Sequence, residues 1–192
     1  MTGLILLAAG ASTRLGAPKQ DLLYQGKTLL QHAIQVALST NCTPVIVVQG
    51  AHALVISPEI PQERVTIVEN PEWQEGMASS IRVGVTALEQ RAPLATGVIL
   101  MLCDQPLVDA EHLNNLVQKK LETGKSIVAS YYNNTLGVPV LFDQSFFPHL
   151  QALKGQEGAK KLLYQYEQEV AAVPFPQGSV DIDTMTDYQQ LD

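Results

Sequence analysis

Leu4-Ile5-Leu6-Leu7-Ala8-Ala9-Gly10-Ala11-Ser12-Thr13-Arg14-Leu15-Gly16-Ala17-Pro18-Lys19 is the stretch on which the reading of the fold turns. It opens with an unbroken apolar run, the pattern of a strand buried on both faces. Directly after that run come two glycines, a set of small residues and two cations. Small residues let backbone N–H groups approach a phosphate, and Arg14 and Lys19 can neutralise its charge. The spacing is neither G-x-x-x-x-G-K-[ST] nor G-x-G-x-x-G. Gly10 and Gly16 alone would fit an ordinary turn equally well. The two cations behind a buried strand turn the reading towards phosphate binding. Gly26-Lys27-Thr28 looks like the tail of a Walker A loop, but Asp21 stands where its first Gly is required. It reads as a turn with Thr28 capping a helix.

Working outward, apolar runs alternate with helix-period segments. Thr28 to Leu38 carries Leu29, Leu30, Ala33, Ile34, Ala37 and Leu38 on one helical face. Pro44 to Val48 and Val65 to Val68 read as strands. Ser79 to Glu89 reads as a helix with Ile81, Val85 and Leu88 inward. Gly97 to Leu102 is the most apolar strand and is expected at the centre. Ala110 to Glu122 is helical, and Ser126 to Ala129 is a strand. Nearly continuous apolar strands separated by helices predict a parallel sheet covered on both faces, a three-layer α/β architecture. Val138 to Phe142 and Val170 to Val173 are less regular, so a mostly parallel but mixed sheet is expected. In such sheets ligands sit outside the carboxyl ends of the strands, and chemistry is to be sought just after each strand.

Composition limits the partners. The chain has 192 residues, with 12 Lys+Arg against 19 Asp+Glu, a net charge of −7. That length reads as a single domain, residues 1–192, able to bury roughly 70% of its unfolded surface without a disulfide or structural metal. The acidic balance argues against nucleic acid, whose binding needs basic patches. It leaves room for a small anion held by two or three cations. Cys42 and Cys103 lie in apolar surroundings and read as packed thiols, not as a staple. The N-terminus has no basic region before its short apolar run, which suggests neither a signal peptide nor a membrane span and points to the cytoplasm. His32, His52, His112 and His149 show no zinc-ligand spacing.

Several stretches together resemble the molybdenum cofactor cytidylyltransferases. Leu7 to Lys19 is similar to the signature L-A-A-G-x-S-x-R-[ML]-G-x-x-K of nucleotidyltransferases of the sugar-nucleotide type. Asn70-Pro71-Glu72-Trp73-Gln74-Glu75-Gly76-Met77-Ala78-Ser79-Ser80 is similar to the narrower group's N-P-x-W-x-x-G-M-x-x-S. Cys103-Asp104-Gln105-Pro106 resembles its D-Q-P motif. Asp181-Ile182-Asp183-Thr184 with Asp187 resembles its D-[IV]-D-T-x-x-D, and Gly137 to Phe142 its G-x-P-x-x-F. One stretch departs: where the family commonly has G-D-x-G-A-[RK], this chain has Gly155-Gln156-Glu157-Gly158-Ala159-Lys160-Lys161.

The resemblance implies a Rossmann-like fold and transfer of CMP from CTP to the terminal phosphate of a molybdopterin-type cofactor, with loss of pyrophosphate. A receiving molybdoenzyme or its chaperone is a compatible partner. It implies Arg14, Lys19 and Asp104 as catalytic residues, with Lys19 at the α-phosphate and Arg14 at the β/γ-phosphates. Leu7, Ala8, Ala9, Gly10, Ala11, Gly76, Met77, Ser79 and Ser80 would join Arg14 and Lys19 around the nucleotide, although either serine can equally be a plain helix N-cap. Asp104 and Asp181 would hold Mg²⁺, with Mn²⁺ as an alternative. Asp181 and Asp183 alternate in an extended segment and should face opposite sides. Asp183 is then expected to hold the Thr184 turn or to lie near the acceptor, and Asp187 to be an ordinary surface residue. Gln105, Gly137, Pro139 and Lys160 would meet the acceptor. Trp73 would either border the pterin or close its loop. Gly50-Ala51-His52 would lie on the same rim. Competing readings are a transferase using GTP or another phosphorylated acceptor, such as a sugar phosphate, and a non-catalytic nucleotide- or cofactor-binding accessory protein.

Overall fold

The structure, a computed structural model, describes residues 1–10, 18–50 and 64–191. Its centre is a seven-stranded sheet. In chain order the strands are β1 (Thr2–Ala8), β4 (Val45–Gln49), β5 (Val65–Glu69), β6 (Gly97–Leu102), β7 (Ile127–Tyr132), β8 (Thr135–Asp143) and β9 (Val170–Pro174). A short hairpin of β2 (Leu23–Tyr24) and β3 (Lys27–Thr28) follows the first loop. The sheet order is β5-β4-β1-β6-β8-β7-β9. Only β8 runs against the others, pairing antiparallel with both β6 and β7, so the sheet is mostly parallel and mixed. The most apolar strand, β6, is the middle one.

The chain leaves β1, builds β4 and β5 on one side, and returns to place β6 on the other. The order therefore reverses between β1 and β6. Leu7 pairs with Leu102 and Ala8 with Gln49, so the ends of β1, β4 and β6 form one rim. A crevice at the carboxyl ends of strands where the order reverses is the expected ligand position in such a sheet.

Alternation along the strands divides the core into two layers. Ile5 and Leu7 face α2 (Met77–Arg91), α4 (Phe147–Gln151) and α5 (Ala159–Gln165), meeting Ile81, Val85, Leu88, Leu150 and Leu162. Leu4, Leu6 and Ala8 face α1 (Leu29–Leu38) and α3 (Ala110–Thr123), meeting Leu30, Ala33, Ile34, Leu113 and Leu116. Thr28 caps α1 in a capping box with Gln31. The helix expected from Ser79 begins instead at Met77, because Gly76 (φ +127°) makes the turn into it. Among the described residues no helix is long and apolar enough to cross a membrane.

The last segment matters for the site. Ile182 is fully buried against Leu29, and its N–H donates to the Asp104 carbonyl at 2.9 Å. α6 (Met185–Gln189) follows, and its Tyr188 hydroxyl donates to the Leu23 carbonyl at 2.7 Å. These contacts bring the C-terminal aspartates to the end of β6. Asp187 is more than a surface residue: its carboxylate accepts from the backbone N–H groups of Asp183 and Thr184 and completes a capping box with Thr184.

Candidate functional site

Two cavities open on the carboxyl rim and share Leu102 and Asp104 as their border. The larger has a volume of about 470 Å³. Its floor is Leu7, Ala8, Ala9 and Gly10, and its far wall is Trp73, Gly76, Met77 and Ser80. Lys19, Asp104 and Asp183 close its third side. The smaller, of about 230 Å³, is lined by Gln105, Tyr132, Val138, Ser179 and Asp181, among others.

Lys19 is the centre of the charged cluster. Its Nζ lies 2.9 Å from Asp104 Oδ2 and 2.9 Å from Asp183 Oδ1. Burial works against the ammonium, but the Asp104 charge and the hydrogen bonds to both carboxylates outweigh it and raise the Lys19 pKa. Asp181 stands on the other side of Ile182. Burial, then the charges of Asp183 and Asp104, raise its pKa. The other oxygen of Asp104, Oδ1, is buried and takes no hydrogen bond among the described residues. A buried carboxylate oxygen without a partner is costly, and a cation or its water would relieve it. Among the described residues no cluster of three or more His, Cys, Asp or Glu side chains is close enough to hold a metal by itself. Mg²⁺ needs only one or two protein carboxylates and takes its other ligands from water and phosphate.

The loops around the larger cavity are held by amides. Gln20, about 2% exposed, donates from Nε2 to the carbonyls of Ala8 (2.8 Å) and Gly10 (3.0 Å) and so fixes the exit of β1 beside Lys19. Asn70, equally buried, donates to Ser79 Oγ at 2.8 Å and Ser80 Oγ at 3.0 Å and accepts from the Glu72 N–H. Gly76 sits against Gly155, whose carbonyl oxygen would lie 2.5 Å from a Cβ added at Gly76. Ala78 N–H donates to that same carbonyl, and Glu75 accepts from Gly155 N–H while pairing with Arg82. These bonds place Gln156 on the wall of the larger cavity.

The expected site residues therefore separate. Leu7, Ala8, Ala9, Gly10, Lys19, Gly76, Met77, Ser80 and Asp104 come together around the larger cavity. Ala11, Arg14, Ala51 and His52 lie outside the described residues. Ser79 turns away: its hydroxyl sits within hydrogen-bond reach of the Glu72 and Gly76 carbonyls. Neither serine is the helix N-cap, a position taken by Gly76. Asp181 and Asp183 do face opposite sides, but Asp183 is the one beside Lys19, and Asp181 lines the smaller cavity with Gln105. Asp183 does not hold the Thr184 turn; Asp187 does. Gly137 does not line that cavity but packs against its Tyr132, whose hydroxyl a side chain at Gly137 would strike. Pro139 is buried with its carbonyl taken by Ser130, and Lys160 is exposed over the Tyr164 ring, so neither lines a cavity. Trp73 both packs on the core and borders the larger cavity. Sequence reading missed Gln20 and Tyr132, since a lone Gln in a turn and a Tyr at a strand end carry no motif.

A family model described as a MobA-like NTP transferase domain matches residues 4–170. The purine catabolism protein PucB of Bacillus subtilis (strain 168) is similar at 30% identity over 197 residues, covering 97% of this chain and 94% of that protein. The crystal structure of Rv0371c from Mycobacterium tuberculosis H37Rv is similar at 32% identity and a TM-score of 0.81, covering 100% of this chain and 97% of that one. A structure of Rv0371c in complex with manganese is similar at a TM-score of 0.75 and 29% identity, covering 99% of this chain and 96% of that one.

Proposed function

The chain belongs to the family of MobA-like NTP transferase domains and is a nucleotidyltransferase, and we propose that it transfers CMP from CTP to the terminal phosphate of a molybdopterin-type cofactor carrying Mo. Pyrophosphate is released and molybdopterin cytosine dinucleotide is formed. The observation that carries this reading is the position of Lys19 in the larger cavity between Asp183 and Asp104, the carboxylate that the two cavities share. A nucleotide in the larger cavity and an acceptor in the smaller would meet there.

The larger cavity falls within the roughly 300–1,000 Å³ usual for a small-molecule site. Its small-residue floor suits a triphosphate, and its far wall of Gly76, Met77, Ser80 and Gln156 suits a base. In the reaction an acceptor phosphate oxygen forms a bond to the α-phosphorus, and the bond from that phosphorus to the β-bridging oxygen breaks. Lys19 leaves part of its pairing with the aspartates and neutralises the charge gathering on the α-phosphate. Arg14 serves the β/γ-phosphates. Gln20 keeps the Ala8–Gly10 backbone in place while this happens, which is positioning, not charge chemistry.

A divalent cation, Mg²⁺ or Mn²⁺, fits the donor set. Asp104 offers hard oxygen, one of them buried and unpartnered among the described residues, and Asp183 and Asp181 stand on either side of it. The manganese complex of a similar protein supports this. When bound, such an ion neutralises phosphate charge. A molybdoenzyme or its chaperone follows as the recipient of the product.

The test is pyrophosphate release by the full chain with molybdopterin and CTP, GTP, ATP or UTP, in Mg²⁺. CTP should turn over at least tenfold faster than the others. Equal release with GTP, or none with CTP, refutes the assignment.

A further inference from the structure

The far wall of the larger cavity carries no charge. Among the described residues the acids that line this cavity are Asp104 and Asp183, both beside Lys19 on its other side. Besides Trp73 and Ser80, the hydrogen-bonding side chains of the wall are two amides, Gln74 and Gln156. Gln156 stands where the resembling family commonly carries an acid. Its loop is fixed to the start of α2 at three points. Arg82 donates to the Leu153 carbonyl at 2.9 Å, Gly155 N–H donates to Glu75 at 3.0 Å, and Ala78 N–H donates to the Gly155 carbonyl at 3.1 Å. Glu157 closes the loop: its N–H donates to the Lys154 carbonyl, and its carboxylate accepts from the Lys154 N–H. The Gln156 Cδ would lie 2.8 Å from a Cβ added at Gly76, so the amide rests directly on the bare Gly76 backbone at the cavity wall. The residue is exposed, and no described residue engages that amide in a hydrogen bond. Its oxygen and its N–H groups are open to a ligand.

Resting on the proposed transfer reaction, we infer that Gln156 is a specificity-determining residue whose amide pairs with the Watson–Crick edge of the nucleotide base. The phosphates are drawn to Lys19, so the base end of a nucleotide falls on the opposite wall. An amide presents one acceptor and one donor side by side. The cytosine edge presents the complement, the N4 amino donor beside the N3 acceptor. Gln and Asn read adenine in DNA through the same adjacent-pair logic. A carboxylate in that place would offer acceptors only. It would match the adjacent N1–H and N2–H donors of guanine in a charge-assisted pair, and would set a lone pair against N3 of cytosine. An amide can turn over, so Gln156 does not by itself exclude uracil. What the exchange of acid for amide decides is the balance between cytosine and guanine.

The experiment measures by calorimetry, in Mg²⁺, the affinity of the full chain for CTP, GTP and inorganic tripolyphosphate. Tripolyphosphate carries the charge without the base, so it reports Lys19 and the cation but not Gln156. Because Gln156 is exposed, Gln156→Leu and Gln156→Glu should fold with unchanged melting temperatures. Gln156→Leu should weaken CTP binding at least about tenfold, the size of one lost paired base contact, and leave tripolyphosphate binding unchanged. Gln156→Glu should move the ratio of CTP to GTP affinity at least about tenfold towards GTP. Unchanged CTP affinity in Gln156→Leu overturns the inference, and leaves the cytidylyl reading standing where the native chain prefers CTP. Parallel loss of tripolyphosphate binding overturns it too, since Gln156 would then act by shaping its loop. A loss in Gln74→Leu with none in Gln156→Leu assigns the contact to the other amide and likewise overturns it. A native chain that binds GTP and not CTP, with that binding weakened in Gln156→Leu, supports the base contact and refutes the cytidylyl reading.

Discussion

Replacing Lys19 by Met keeps the apolar stem and removes the charge that two carboxylates share. Asp104 and Asp183 each lie 2.9 Å from the same nitrogen, so their oxygens are within about 6 Å of each other. At an effective dielectric constant near 20, two like charges at that distance repel by on the order of 3 kcal/mol. The two aspartates do not weigh equally. The side chains of Lys19 and Asp104 are 14% and 18% exposed, whereas Asp183 is 45% exposed and largely screened. Stranding a buried carboxylate costs roughly 3–5 kcal/mol, and an exposed partner adds at most about 1. Allowing for relaxation of Asp183 into water, Lys19→Met should lose about 2–4 kcal/mol in urea unfolding at pH 7. Millimolar Mn²⁺ should restore much of this in the variant, because a cation can take the place of the lost ammonium beside the buried Asp104 carboxylate; a ligand at a hundred times its Kd stabilises by about 2.7 kcal/mol. Turnover should fall about 10²–10³-fold, as for removal of one preorganised charge-stabilising group. If the variant unfolds within about 0.5 kcal/mol of the native protein and Mn²⁺ has no larger effect on it, the cluster is not the electrostatic centre described above. If turnover is also near normal, Lys19 is not a catalytic residue.

Other perturbations probe other parts. Gly76→Ala puts a Cβ against the Gly155 carbonyl at φ +127°, so it should cost roughly 1–3 kcal/mol and reduce the thermal shift given by CTP. An unchanged melting temperature would show that the Gly76–Gly155 contact is not needed. His112 is buried against Phe175 and Ser130, and burial pushes its pKa down to about 4 from 6.5. Above pH 6.5 it contributes no pH dependence. Below that the unfolded chain takes up a proton that the fold refuses, so stability should fall, by about 3 kcal/mol by pH 4. Urea midpoints measured across that range should flatten in His112→Gln. CTP binding should weaken at least tenfold when a chelator removes divalent cations, and tight binding in chelator, read by calorimetry, would contradict a metal-bridged nucleotide.

Much of the fold is legible in local pattern. Gly97–Leu102 has identical bounds in sequence and structure, because an unbroken apolar run can only be buried on both faces. β8 is longer than its apolar part, since Thr135 to Gly137 is stabilised by pairing with β7 and not by burial of large side chains. The start of α2 was displaced by Gly76, whose positive φ is an outcome of the Gly155 contact, invisible to periodicity. The larger cavity is legible for a related reason: Leu7 to Gly10 and Lys19 lie close together in sequence, directly after a buried strand, and meet on one rim.

The chain by itself determined the strand runs, the faces of α1, α2 and α3, the small-residue loop with its lysine, and the opposition of Asp181 to Asp183. Each depends on neighbours a few residues apart, at periods of 2 or 3.6. Only the tertiary structure decided which aspartate joins Lys19. That choice follows from burying Ile182 against Leu29 and pairing its N–H with the Asp104 carbonyl, a contact across some eighty residues that sets the phase of the whole segment. Tyr132 and Gln156 reached their cavities in the same way, through the β7–β8 edge and the Glu75–Gly155 bonds. Periodicity gives the spacing of side chains along a segment, but the side that each set faces is chosen by what the segment packs on.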